Sequence, residues 1–176
     1  GTVEIRGIVH SDDMLIAYEL VPSVGEKTMQ LDFVPLRAIA PARLQAELNV
    51  AELGDKAHTS RKGWASAPYA YNPDPEWSSV GDIQVCRQSL VAGGEIGTAW
   101  KIRKQVDGSQ LLLVSIEHSY PKTTAVHDAV AHIKKVEGES PDDMVLRHRV
   151  WWHNYYPKSF VSLDDTRMES FYWIQV

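Results

Sequence analysis

Cysteine, long apolar runs and positive charge are all scarce in this sequence. Its one cysteine, Cys86, has no partner for an internal disulfide, which excludes a disulfide scaffold but does not identify a compartment. No apolar run approaches the roughly 18 residues that a membrane span needs. The net charge is −5 and the lysines and arginines are scattered, so neither nucleic acid nor a membrane is expected as a partner.

Motifs for nucleotide, metal and nucleophile chemistry are missing as well. The sequence has no Gly-x-Ser-x-Gly, no phosphate loop and no dinucleotide fingerprint. His127 and His132 are five residues apart, as are His148 and His153, whereas two ligands of one ion on a helix need a spacing of three or four. We therefore predict no metal, cofactor or catalytic residue. Three aspartate pairs lie at turns or helix starts, where capping and the helix dipole explain them: Asp12/Asp13, Asp142/Asp143 and Asp164/Asp165.

Strand patterns dominate the first part of the chain. Its 176 residues, 44% of them hydrophobic, suffice for one domain or for one domain with a linking segment. Asp107-Gly108 between two apolar runs predicts a hairpin. Residues 41–49 contain helix formers but are too short to assign. The predicted strands are 3–10, 14–21, 28–36, 82–92, 97–106 and 110–118.

Residues 50–81 combine turn-forming glycine and proline with large aromatic side chains. A flexible linker would not carry so many aromatics, so we interpret the segment as a long ordered loop. Two interpretations of its rings stay open: burial against a neighbouring domain, or a platform on which sugars stack. The rings are Trp64, Tyr69, Tyr71 and Trp77.

The hydrophobic period changes to that of a helix after Pro121. Residues 126–136 place their apolar side chains on one helical face. Ser140 is a predicted N-cap before a helix that begins at Pro141 and ends before Pro157, and a third helix begins near residue 164. Strands followed by helices predict a mainly β protein with C-terminal helices, and not the alternation of a parallel α/β sheet.

The second predicted helix has an unusually wide apolar face. Two interpretations are open for it: core or interface packing, or a sugar pocket in which flat rings meet pyranose faces and polar tips supply hydrogen bonds. One stripe of this face contains Met144, His148, Trp151 and Tyr155, and the next contains Val145, Trp152 and Tyr156. The chain opens without an initiator methionine and closes on an uncapped apolar run, so we expect the gene to continue beyond Val176.

The tail resembles a family of large bacterial glycoside hydrolases similar to the family 95 α-L-fucosidases, whose catalytic domain is an (α/α)6 barrel. The resemblance covers about residues 80–176 and is carried by Arg-His-Arg-Val-Trp-Trp-His-Asn-Tyr-Tyr-Pro-Lys-Ser-Phe at 147–160 and Phe-Tyr-Trp-Ile-Gln at 171–175. It implies an antiparallel, supersandwich-like β-sandwich domain at 1–120, linker helices at 121–163 and the start of a truncated barrel domain at 164–176. The residues that match the family's linker motif, and for which the resemblance implies contact with substrate, are Trp151, Trp152, His153 and Ser159.

The function that the resemblance implies is a non-catalytic N-terminal domain and linker of a glycoside hydrolase. Acid and base carboxylates come from the barrel in such enzymes, so no catalytic residue is transferred to this chain. The implied partners are carbohydrate and either the remainder of the parent chain or a second copy. The residues do not identify a compartment, and only the resemblance favours a periplasmic or secreted protein. Two alternatives remain: a stand-alone carbohydrate-binding module, and an assembly module with a tryptophan-rich docking helix.

Overall fold

The structure is a computed structural model that describes residues 1–39, 71–158 and 160–175. The strands precede the helices, which confirms a mainly β protein with C-terminal helices. The six strands are β1 (Val3–Val9), β2 (Leu15–Pro22), β3 (Glu76–Val80), β4 (Ile83–Ser89), β5 (Glu95–Lys104) and β6 (Gln110–Ser119). The helices are α1 (Ala125–Val136), α2 (Pro141–Tyr155) and α3 (Thr166–Gln175), with single 3-10 turns at Val24–Glu26 and Tyr156–Lys158.

The strands form one antiparallel sheet in the order β1-β2-β6-β5-β4-β3. The predicted hairpin is confirmed as the β5–β6 pair. Its turn uses Gly108 at φ 93°, a conformation that glycine adopts readily, and the Asp107 carboxylate accepts the backbone N–H of Ser109 at 2.9 Å. The described ranges contain this single sheet, so a two-sheet sandwich is not part of the observed fold.

Helix α1 covers one face of the sheet and builds the main core. Four of its predicted core residues (Ala129, Val130, Ile133 and Val136) are buried, and Val126 packs against them, as the helical period predicts. Alternate residues of four strands meet this helix because successive side chains of a strand point to opposite faces. These strand residues are Leu15, Ala17, Ile83, Val85, Ala99, Leu111 and Leu113.

The other face carries a smaller core around Trp100, to which Cys86, Leu112 and Val114 belong. Leu31 and Phe33 cover it, with the Phe33 and Trp100 ring centroids 5.4 Å apart. The strand predicted at 28–36 is wrong, because residues 29–39 have no regular secondary structure. Glutamine side chains bind the backbone of this segment in place of a neighbouring strand.

Gln88 shows how a side chain supplies the hydrogen bonds that a neighbouring strand would otherwise make. Its Oε1 accepts the N–H of Ala38, and its Nε2 donates to the carbonyl of Leu36 at 3.0 Å. Gln110 Nε2 likewise donates to the carbonyl of Met29 at 3.1 Å. The apolar alternation at Leu31 and Phe33 is real, but it marks a segment lying on a sheet and not a strand within one.

The edge strand β3 was missed by the sequence patterns. It occupies 76–80, inside the segment predicted as a loop, and all five of its residues are exposed. A strand without a buried face lacks the alternation by which strands are identified. Residues 41–49 and most of the predicted loop lie outside the described residues.

Replacing Gln88 with alanine should lower the free energy of unfolding by about 2 kcal/mol, because the N–H of Ala38 and the carbonyl of Leu36 each lose a hydrogen bond that contributes about 1 kcal/mol. Urea unfolding followed by tryptophan fluorescence measures the change. Gln84→Ala is the matched control, since Gln84 lies on the same strand and the same face but is exposed. Equal stability losses in the two variants would contradict the bridging role of Gln88.

Candidate functional site

Helix α2 is attached to the sheet through its first turn. Ser140 is the N-cap, and its Oγ accepts the backbone N–H of Asp143 at 3.1 Å, as predicted. Arg6 on β1 donates to Asp142 at 2.8 Å, and Met144 is buried in the main core. Pro141 and Met144 are the helix's two fully buried residues among those described, so most of α2 lies outside the core.

Four aromatic rings form a cluster on the second half of α2. The Trp151 and Tyr155 rings are stacked nearly parallel, with centroids 5.1 Å apart and an interplanar angle of 12°. Trp152 lies edge-on to Trp151 at 4.9 Å and stacks on Tyr156 at 5.1 Å. A spacing of four residues places side chains on the same helical face, which explains both stacked pairs.

Trp151 separates two cavities, and together they form what we call the aromatic site. A cavity of about 170 Å³ lies between the end of β1 and α2. The residues that line it are Val9, His10, Ser11, His148, Trp151 and Trp152. A second cavity of about 250 Å³ is lined by Trp151, Asn154, Tyr155 and Lys158.

The link between β1 and α2 that creates the smaller cavity is a hydrogen bond of His148. Its Nδ1 lies 3.1 Å from the carbonyl oxygen of Val9. A carbonyl only accepts, so this ring nitrogen carries the proton. The bond holds His148, one helical turn before Trp152, against the end of β1 and so sets the width of the cavity.

The lining of the aromatic site suits a neutral ligand with an apolar face and hydroxyl groups. Trp151 is 40% exposed and offers a flat surface. The hydroxyl of Ser11, the amide of Asn154 and the ammonium of Lys158 surround it as hydrogen-bonding groups. No described carboxylate lines either cavity, so the site presents a binding surface without an acid–base pair.

The structure unites some of the predicted site residues and separates others. Trp151 and Trp152 line the same cavity. His153 is exposed and lines neither cavity, since it stands five positions after His148 and points away from it around the helix. Ser159 lies outside the described residues. Among the polar lining residues, sequence reasoning did not single out His10, Ser11 or Lys158.

The aromatics of the predicted loop form no second site in the described part of the chain. Trp77 lies on β3, 53% exposed, with its ring edge-on to Trp100 at 6.0 Å. The guanidinium of Arg37 lies over the ring of Tyr71, 5.4 Å from its centroid. Trp64 and Tyr69 lie outside the described residues, so the platform proposed for all four rings stays a prediction.

Asp13 is the centre of a buried charge cluster beside the smaller cavity. Its Oδ1 accepts from Lys135 at 2.8 Å and lies 3.1 Å from His132 Nδ1, and its Oδ2 lies 3.3 Å from His10 Nδ1. Burial raises the pKa of Asp13, but the hydrogen bonds from Lys135 and His132 outweigh burial and hold that pKa below its ordinary value. The carboxylate therefore ties both α1 and His10 to the β1–β2 turn.

Metal and membrane features were sought in the same part of the chain. The described residues contain no group of three or more His, Cys, Asp or Glu side chains placed to hold a metal ion. None of the described helices combines the length and apolarity that crossing a membrane requires.

Comparison with known proteins identifies no relative. No protein-family model, no curated protein and no solved structure matches this chain.

Proposed function

We propose that this chain is a non-catalytic domain and linker of a glycoside hydrolase, whose catalysis takes place in an (α/α)6 barrel, and that α2 contacts the carbohydrate. One observation carries the proposal: the exposed ring of Trp151, stacked nearly parallel on half-buried Tyr155, with hydrogen-bonding side chains in the cavities on both sides of it. The resemblance of residues 147–160 to the linker of such enzymes supports the same assignment.

A sugar fits the chemistry of the aromatic site better than an apolar or an anionic ligand. The axial C–H groups of a pyranose make an apolar face that packs on an indole ring, while its hydroxyls need donors and acceptors at the rim. Trp151 supplies the ring, and Ser11 and Asn154 supply groups that both donate and accept. Lys158 is the one lysine or arginine among the described residues that line the site, and a single such side chain does not make an anion site.

Exposed apolar side chains on α2 and α3 support the presence of a further helical layer. An uncovered patch of large side chains marks an interaction surface. In the parent enzyme this layer would be the barrel, of which residues 164–176 would form the first helix. The exposed residues are Leu146, Val150, Met168, Phe171 and Ile174.

The proposal also includes a second sheet, again on the basis of exposed apolar side chains. The sheet face opposite α1 has exposed apolar side chains at its β1 side, which a second sheet would cover. They are Val3, Ile5, Tyr18 and Ile116. In this arrangement residues 1–120 are a β-sandwich and 121–163 are the linker.

Trp151→Ala should weaken saccharide binding about tenfold or more, because the ligand loses its stacking surface. Tryptophan fluorescence and calorimetric titration with a panel of neutral mono- and oligosaccharides measure the change. Trp77→Ala is the matched control, since it removes an exposed indole outside the aromatic site. Saccharide binding that Trp77→Ala weakens and Trp151→Ala leaves intact would contradict the proposal.

The second candidate is an assembly module whose tryptophan-rich helix docks a partner chain and contacts no sugar. The exposed apolar residues of α2 and α3 favour it, because burying one such side chain contributes roughly 1.5–3 kcal/mol. Sedimentation over a concentration series separates the two candidates. The assembly module self-associates in a manner that Trp152→Ala weakens, and it shows no response to any saccharide.

A further inference from the structure

His10 is buried between two carboxylates at the junction of β1 and α2. Its side chain is 2% exposed, with Nδ1 3.3 Å from Asp13 Oδ2 and Nε2 3.9 Å from Glu139 Oε2. Neither His10 Nε2 nor Glu139 Oε2 has a hydrogen-bond partner in the described part of the chain. Buried polar atoms without partners cost free energy, so this pair of atoms needs an explanation.

The two protonation states of His10 differ in how many of these contacts they satisfy. In the neutral ring, Nδ1 accepts the backbone N–H of Asp12 at 3.3 Å, and its lone pair then also faces the Asp13 carboxylate. In the protonated ring both nitrogens donate. A neutral ring has one N–H, so one of its nitrogens presents a lone pair to a carboxylate: Nδ1 to Asp13 or Nε2 to Glu139. The protonated ring gives up the N–H of Asp12 and presents an N–H to each carboxylate, so both contacts become charge-assisted.

We propose that His10 is a proton-operated latch that fixes α2 against the end of β1. Glu139 directly precedes Ser140, the N-cap of α2, so a contact between His10 and Glu139 restrains the start of this helix. His10 also lines the smaller cavity together with Trp151 and Trp152. Proton binding at His10 therefore organises the aromatic site without touching a ligand.

The charged groups of the surrounding elements form two ion-paired units, and His10 lies between them. In one unit, Asp13 of the β1–β2 turn binds Lys135 and His132 of α1, and Glu117 of β6 lies 3.0 Å from His132 Nε2. In the other, Arg147 of α2 binds Glu139 Oε1 at 2.5 Å. Asp12 contributes its backbone N–H to His10 Nδ1, and His148 holds the carbonyl of Val9.

The carboxylate of Asp13, on the β1–β2 turn, stays ionised over the range in which imidazoles bind protons, about pH 5–8. Burial raises the pKa of Asp13, but its hydrogen bonds from Lys135 and His132 lower it by more, to below its ordinary value. A partner for protonated His10 is thus present throughout this range.

Amide hydrogen exchange of α2, measured on the full chain without saccharide, tests the latch. After correction for intrinsic exchange, residues 144–155 should be protected about tenfold more strongly at pH 5.5 than at pH 7.5, the size expected for a charge-assisted hydrogen bond. His10→Gln should abolish this difference. His127→Gln should keep it, because His127 is an exposed histidine that pairs only with Asp128 among the described residues.

Two further measurements keep the proposal testable if His10→Gln fails to fold. Glu139→Gln retains an acceptor for Arg147, and it should remove the pH dependence of α2 protection while His10 still titrates by NMR. In the unmodified protein, the ring carbons of His10 should shift as the pH falls from 8.5 to 4.5. A ring that does not titrate, or a pH-dependent protection that persists in either variant, would overturn the latch. None of these readouts needs a saccharide, so they succeed or fail independently of the proposed function.

Discussion

Gly97→Ala is expected to lower the free energy of unfolding by at least about 3 kcal/mol, a cost typical of overpacking at a buried contact. Gly97 lies on β5 beneath the first turn of α1. A Cβ atom at this position would overlap the backbone nitrogen of Val126 and the carbonyl group of Ala125. These are backbone atoms, which cannot move aside as a flexible side chain does, so the helix itself would have to shift off the sheet.

Urea unfolding of the Gly97→Ala variant measures this effect, with Gly25→Ala as the control. A Cβ at Gly25 would meet nothing within 4 Å, so the control should lie within about 0.5 kcal/mol of the unmodified protein. If Gly97→Ala is as stable as Gly25→Ala, the close approach of α1 to β5 is contradicted. Because α2 follows α1 after a short connection, this outcome would also contradict the position of α2 and the geometry of the aromatic site.

Asp13→Asn is the second large effect, with an expected loss of roughly 2 kcal/mol at pH 7, the size typical of hydrogen bonds to charged groups. The substitution leaves Lys135 and His132 without the buried carboxylate that both contact. The folded-state pKa of Asp13 lies below its ordinary value, so the unfolded chain binds the proton more tightly. The stability from this group is therefore complete above the ordinary pKa of about 3.9 and is lost as the pH falls through the lower folded-state value.

The free energy of unfolding between pH 2.5 and 7 checks both parts of this prediction. The Asn variant should start lower at pH 7 and lose less stability below pH 4 than the unmodified protein. Asp12→Asn is the control, since Asp12 is exposed and adjacent in the same turn. A variant at position 13 that keeps the stability and the acid slope of the unmodified protein would show that Asp13 does not connect α1 to the turn.

Much of the fold follows from local sequence signals. The Asp107-Gly108 turn, the helical period of α1 and the Ser140-Pro141 start of α2 were predicted and are confirmed. Each depends on residues near one another in the chain. The segment at 29–39 could not be predicted in this way, because its backbone is bound by the side chain of Gln88, about 50 residues away.

The residues of the aromatic site likewise divide into those that local sequence predicts and those that it does not. Trp151 and Trp152 follow from the spacing of rings on one helix, which the sequence contains locally. His10 and Ser11 resemble ordinary turn residues, and they reach the cavity only because His148 binds the carbonyl of Val9 across 139 positions. Periodicity predicts which face a side chain occupies. It does not predict which distant strand end that face will meet.

The most direct test of the central claim is an NMR titration that follows the indole N–H signals of the tryptophans while a neutral oligosaccharide is added. We predict that the signals of Trp151 and Trp152 shift in a saturable manner, while those of Trp77 and Trp100 stay in place because their rings lie on the sheet, outside the aromatic site. Shifts confined to Trp77 and Trp100, or no shift with any saccharide of the panel, would contradict the claim that α2 contacts carbohydrate.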